Sequence, residues 1–129
     1  MRMPNPSFKF DPSKDGLSKT LKEYEEIALR YVWSLGKEGA GSGAVWGHVN
    51  ERLGEKSISR ASIIFFLNRM VDQEVLEYRE ETGKGGHHRI YFPGLDEEGY
   101  KKYVVKRLVE STLRDWPELT KEALMELDL

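Results

Sequence analysis

The 129 residues are enough for one domain with a modest core, and no apolar run approaches the length of a membrane span. A net charge of −2 excludes a uniformly basic nucleic-acid binder, so any DNA contact must come from a local patch. The absence of cysteine removes disulfides, thiolate nucleophiles and thiolate metal sites, and no apolar signal-peptide core is present, so a cytoplasmic location is expected.

Residues 1–16 carry Pro4, Pro6 and Pro12 without any period, and read as a flexible N-terminal tail that Phe8 and Phe10 can anchor. Thr20-Leu-Lys-Glu23 has the spacing of a capping box and opens a first helix. Leu21, Tyr24, Ile27, Ala28, Tyr31 and Val32 share one face of it, and it ends near Leu35. Four glycines between Gly36 and Gly43 predict a flexible loop. A second helix is expected over about Ser42 to Leu53, with Val45, Val49 and Leu53 on one side and Gly54 as its stop.

Ser59 is a good N-cap for a third helix running from Arg60 to about Gln73. Ile63, Phe66, Leu67 and Met70 cluster on one side, with Ala61, Phe65, Asn68 and Arg69 opposite and Arg60 and Ile64 on a flank. So short a turn between the second and third helices is the mark of a helix-turn-helix pair. From Val75 the pattern becomes extended. A glycine-rich tip, Thr82 to Gly86, separates it from a second extended run, His88 to Phe92, in which Ile90 and Phe92 face one way and Arg89 and Tyr91 the other. A helix leading into a long hairpin predicts a mainly α (α+β) winged helix-turn-helix with a two-stranded β wing.

Pro93-Gly94 ends the wing, and a long helix is expected from about Asp96 to Trp116, stopped by Pro117. Its apolar stripe, including Tyr100, Val104, Leu108 and Trp116, is wider than one small core needs and marks dimerisation. A last helix is expected from Thr120, with Leu119 and Leu124 stapling its cap. The expected organisation is a tail (1–16), a winged-helix domain (17–93) and C-terminal dimerisation helices (94–129).

From Ile58 to Tyr78 the sequence resembles the penicillinase-repressor (BlaI/MecI) group of winged-helix transcriptional repressors, and more loosely the PadR- and MarR-like regulators. Ser59, Ser62-Ile63, Phe66-Leu67, Arg69-Met70 and Glu74-Val75-Leu76 carry the resemblance, joined by Thr20, Glu23-Tyr24 and Val32-Trp33 in the first helix. It extends roughly from Thr20 to Trp116 and rests on core positions and caps. It implies a homodimer on a palindromic operator, paired through C-terminal helices. The glycine-rich loop and the apolar Ile64 and Phe65 depart from the family pattern.

A reading helix needs its N-terminal side chains near base edges and phosphates. Arg60 suits a phosphate or a guanine edge; Ser59, Ser62 and Arg69 suit phosphates; Asn68 suits adenine; Phe65 suits a thymine methyl. On the wing, Lys84 and Arg89 are the expected phosphate clamps beside a tip whose glycines allow close backbone approach. The patch is weak. Lys56, Arg60, Arg69, Arg79, Lys84 and Arg89 face Asp72, Glu74, Glu77, Glu80 and Glu81, an excess of one cation.

His87 and His88 are neighbours on a strand and point to opposite faces, which disfavours joint chelation, so no metal site is expected. Nothing sets Ser, His and an acid in a triad, and no P-loop, dinucleotide fingerprint or metalloprotease motif is present, so neither an enzyme nor a cofactor is expected.

The sequence thus predicts a homodimeric transcriptional repressor whose partners are double-stranded DNA and a second copy of itself, with no membrane partner. The alternative is a winged helix used for protein contact, supported by the near-neutral patch and by Ile64 and Phe65. A third reading places a small-molecule effector in an aromatic pocket at the dimer seam, and no motif supports it.

Overall fold

A computed structural model describes residues 8–83 and 85–129. The chain forms two compact units, Met1–Glu97 and Glu98–Leu129. The first contains α1 (Glu23–Leu35), β1 (Ala40–Gly41), α2 (Ser42–Leu53), α3 (Arg60–Asp72), β2 (Leu76–Gly83) and β3 (Gly86–Pro93). Two further helices follow, α4 (Glu97–Asp115) and α5 (Pro117–Glu126). The order and the terminal hairpin of the first unit are those of a winged helix-turn-helix. No helix of the described residues is long and apolar enough to cross a membrane.

The core of the first unit is the intersection of the predicted apolar faces. Ala28, Leu29 and Val32 of α1 are buried, as are Val45 and Val49 of α2 and Ile63, Phe66, Leu67 and Met70 of α3. Val75, Leu76 and Tyr91 close it from the wing side. Ahead of α1, a 3-10 turn over Gly16–Lys19 buries Leu17. Upstream of that turn, Asp11 Oδ1 accepts from the Ser13 amide at 2.9 Å and the Ser13 hydroxyl at 2.6 Å.

Three sequence expectations need correction. Thr20 does not cap α1: it ends the preceding 3-10 turn, and α1 starts later, where the Lys22 amide donates to Glu25 Oε1 at 2.8 Å. Residues Gly36 to Gly43 are not a flexible loop. They form a 3-10 turn (Gly36–Glu38), then β1, then the first turn of α2. The wing sheet therefore has three strands in the order β1-β3-β2, with Ala40 opposite Tyr91 and Gly41 opposite Ile90. Gly39 makes this pairing possible. Its φ is +66° and a Cβ there would lie 2.3 Å from the Tyr91 carbonyl oxygen. Finally, α5 starts at Pro117 rather than Thr120, because proline suits the first turn of a helix as well as it ends the previous one.

The wing register pairs Tyr78 with Tyr91, Arg79 with Ile90, Glu80 with Arg89 and Gly83 with Gly86. Gly85, at φ +91°, helps turn the tip. Between α3 and β2 the chain closes in a left-handed cap, where the Val75 amide returns to the Met70 carbonyl at 2.9 Å. The residue at that cap is Glu74, with φ +65°. Glycine adopts this conformation without the clash that a Cβ brings. Glu74→Gly is therefore expected to raise stability by about 0.5–1 kcal/mol, seen as a higher urea midpoint with an unchanged slope. A lower midpoint would mean that Glu74 contributes a contact outweighing its backbone strain.

Candidate nucleic-acid interface

The helix-turn-helix corner is held by side chains of α2. Trp46 Nε1 donates to the Ile58 carbonyl at 2.9 Å, and Asn50 holds both the Ile58 amide (2.8 Å) and its carbonyl (3.3 Å). This satisfies backbone groups that a turn would otherwise leave to water, and fixes where α3 begins. At that start Ser59 Oγ accepts from the Ser62 amide at 3.1 Å, and the two hydroxyls lie 2.9 Å apart. Ser59 and Ser62 thus complete an N-cap at the mouth of the site.

The inner edge of α3 is fixed by an ion pair. Arg69 Nη2 lies 2.7 Å from Glu25 Oε2, with the Glu25 side chain almost wholly buried and that of Arg69 one-fifth exposed. The Arg69 guanidinium also lies 5.4 Å from the Phe66 ring centre. Arg69, expected as a phosphate clamp, is therefore a strut between α1 and α3. Position 69 falls at the boundary between the outward and the buried face, and Glu25 draws its long side chain inward.

The outer face joins the wing. Asn68 Oδ1 accepts from the Tyr91 hydroxyl at 2.6 Å and from Arg89 Nη1 at 3.1 Å. The Arg89 guanidinium lies 4.0 Å from the Tyr78 ring centre. Both acceptor positions of the Asn68 carbonyl are thereby used, so the two-point pairing with adenine expected of Asn68 lacks its acceptor; the amide nitrogen is left to donate. Burial pushes the Tyr91 phenol up from its ordinary pKa, against the opposing charge of Arg89. Arg79 ties the outer side of the wing down, donating to the Lys37 carbonyl at 2.8 Å and the Glu38 carbonyl at 2.7 Å.

These ties leave a cleft of about 440 Å³ between α3, the hairpin and the first turn of α2. Arg60, Ile64 and Asn68 line one wall and His87, His88 and Arg89 the other. Gly41, Ser42 and Gly43 close its end with the N-terminus of α2, where no side chain caps the helix. Free amides there carry partial positive charge. The Arg60 side chain is exposed and bonds to no other described residue; a Cβ on Gly43 would lie 3.4 Å from its Nη2. Phe65 projects outward, 69% exposed, and Ile64 is 37% exposed. Lys84 lies outside the described residues. His87 and His88 fall at consecutive register positions opposite Thr82 and Glu81, while His48 stacks on Tyr31 at 4.1 Å.

In the C-terminal unit the expected dimerisation residues divide. Tyr100 and Val104 are buried. Leu108 is half-buried and Trp116 is 60% exposed. The expected staple of Leu119 with Leu124 is replaced by Thr120, whose hydroxyl donates to the Trp116 carbonyl at 2.6 Å. Sequence reasoning missed Tyr91, Asn50 and Glu25 as positioning residues. Tyr91 alternates with Arg89 on the return strand, and Asn50 sits one turn after Trp46; both spacings carry a signal, but only the fold supplies the partners.

The arrangement of a corner-fixed helix, a cation-flanked cleft and a hairpin is suited to a duplex groove and its phosphates. The family model described as Penicillinase repressor matches residues 21–128. No curated protein is similar enough to match. The chain belongs to the penicillinase repressor family, a family of DNA-binding transcriptional repressors and not of enzymes.

Removing the Tyr91 hydroxyl tests the bracket. Tyr91→Phe is expected to lower stability by about 1 kcal/mol at neutral pH. A phenol whose folded pKa is raised above its unfolded value near 10.0 stabilises fully below that value. Its contribution is lost as pH rises through the folded pKa. The wild type should therefore lose stability above about pH 10, and Tyr91→Phe should lose less; equal slopes in denaturant titrations across that range would rule this out.

Proposed function

We propose that this member of the penicillinase repressor family is a homodimeric repressor that reads a palindromic operator. In this reading α3 enters the major groove and the wing lies on the phosphate backbone. The observation that carries it is the cleft in which Arg60 and Asn68 of α3 face Arg89 of the hairpin at the uncapped N-terminus of α2. Arg60 supplies donors to a guanine edge or phosphate. Ser59 and Ser62, at the start of α3, meet a phosphate; Asn68 supplies one donor; Phe65 lies on the groove floor. Arg89 and Lys84 contact the backbone and contribute counterion release. Binding the cell's DNA places the protein in the cytoplasm.

Dimerisation rests on the C-terminal unit. Val105, Trp116, Leu119, Leu124, Met125 and Leu127 are exposed there, an apolar surface that a monomer does not ordinarily show to water. In this reading Leu108 and Trp116 contribute to that interface. A two-fold dimer would present two copies of α3 to successive turns of one DNA face. No cofactor is invoked in this reading.

The exposure of Phe65 and Ile64 also favours a second reading, in which the same face docks a protein. DNA titrations separate the two. Operator binding that resists random competitor and weakens steeply with salt supports the repressor; weak binding to every sequence supports the protein-contact reading. Within the repressor reading, Arg60→Ala is expected to weaken operator binding by roughly 1–3 kcal/mol. Lys84→Ala should weaken all DNA alike and shallow the salt slope by about one. Unchanged affinity in both variants would overturn the site. In sedimentation, Trp116→Asp combined with Leu124→Asp should shift the dimer to monomer without loss of helix content.

A further inference from the structure

The outward face of α3 is chemically one-sided. Its exposed apolar part is Phe65, the most exposed large apolar side chain among the described residues of the first unit, with Ile64 beside the cleft. Its polar part is almost entirely donors. Arg60 has no acceptor atom, and the Asn68 carbonyl is already filled by Tyr91 and Arg89. The Ser59 and Ser62 hydroxyls are turned to each other. The one carboxylate at this angle is Asp72, in the last turn of α3 and far from the end that enters a groove.

A face made of donors and an exposed aromatic ring selects its complement. In the major groove, guanine offers two acceptors, and thymine offers one acceptor and a C5-methyl group. The amino groups of adenine and cytosine require an acceptor, and at the start of α3 the Ser59 and Ser62 hydroxyls, which already engage each other and the helix cap, are the acceptors on offer. Arg60 and Arg89 line the cleft beside Ile64, where the carboxylate of Glu81 is paired with Arg79, and such a lining suits a polyanion better than an apolar protein surface.

Resting on the repressor reading above, we propose that Phe65, with Ile64, is a methyl reader: it seats the C5-methyl of a thymine in each operator half-site beside a guanine edge contacted by Arg60, and it accepts 5-methylcytosine, which presents a methyl group at the same position. Phe65 is the specificity-determining residue at that base, and Asn68 is spent on fixing the wing rather than on adenine.

The experiment uses the full-length protein and a site enriched from a random duplex library. Each thymine of that site is replaced singly by deoxyuridine, which deletes only the methyl group. Replacement of one or two thymines per half-site is expected to weaken binding about three- to tenfold, as loss of a buried methyl should. Cytosine at the same position should bind weakly, and 5-methylcytosine should recover part of the loss. Phe65→Ala, an exposed substitution that leaves the core intact, should bind the thymine and uracil duplexes equally. The proposal is overturned if the enriched duplex binds tightly yet every uracil replacement stays within twofold. It is equally overturned if Phe65→Ala keeps the thymine preference. Failure to enrich any site with folded protein would instead overturn the DNA reading itself and return the Phe65 face to a protein partner.

Discussion

The geometry of this interface depends on one oxygen atom. Asn68 Oδ1 takes hydrogen bonds from both Tyr91 and Arg89, and so ties the outer face of α3 to the return strand of the wing. A two-stranded hairpin is barely stable alone in water, and its angle to a neighbouring helix is soft. Here three devices remove that softness: the Asn68 bracket, the addition of β1 to β3, and the Arg79 bonds to the turn before β1. The bracket uses neutral and charge-assisted donors on a half-buried acceptor, where hydrogen bonds gain strength from reduced competition with water. Its consequence is chemical as well as mechanical. An asparagine that fixes the wing has surrendered the atom with which it would recognise adenine.

The opposite edge of α3 follows the same logic with a different pair. Glu25 is buried, accepts the Lys22 amide that starts α1, and pairs with Arg69. One carboxylate thus caps one helix and holds another. A buried carboxylate without such partners would be strongly destabilising; with them it makes the packing of α1 on α3 specific rather than merely apolar. Arg69 and Asn68 are adjacent in sequence, yet one is drawn inward and the other toward the wing. Between them they define how much of α3 remains open, and its open first two turns carry Arg60, Ala61, Ile64 and Phe65.

The legible part of the fold was the part written in periodicity. Ile63, Phe66, Leu67 and Met70 repeat at helical spacing and are all buried, and Ser59 caps α3 as its type suggests. The alternation of Arg89, Ile90, Tyr91 and Phe92 gave the strand faces that the register has. What was not legible depended on contacts between distant segments. The glycines from Gly36 to Gly43 look like a loop because their role, letting β1 press against Tyr91, exists only once the wing is in place. Arg69 looks like a phosphate clamp until Glu25 is known to lie 2.7 Å away. Tyr100 and Val104 are buried as their periodicity suggests, but periodicity shows that a residue is buried, not by what. At the cap of α5, a threonine and a proline competed for the start, and the restricted φ of Pro117 decided it.

Charge places the last constraint on how such a face can work. The whole chain carries −2, and along the wing Arg79 is committed to Glu81 and to backbone carbonyls. Few cations are left for phosphates, so the sequence-independent part of DNA affinity, which grows with each phosphate neutralised, is small by construction. A repressor built this way gains little from random DNA and must draw proportionately more of its binding from base edges. An exposed aromatic ring is well suited to that demand. Its contact with a methyl group is short-ranged and indifferent to salt, and it vanishes wherever the methyl is missing. In the proposed mode of binding, the same residues that leave the wing nearly neutral would shift discrimination onto Phe65 and Arg60. On this balance of forces, the apolar surface that resembles a protein-docking patch is also what a weakly charged reader would require.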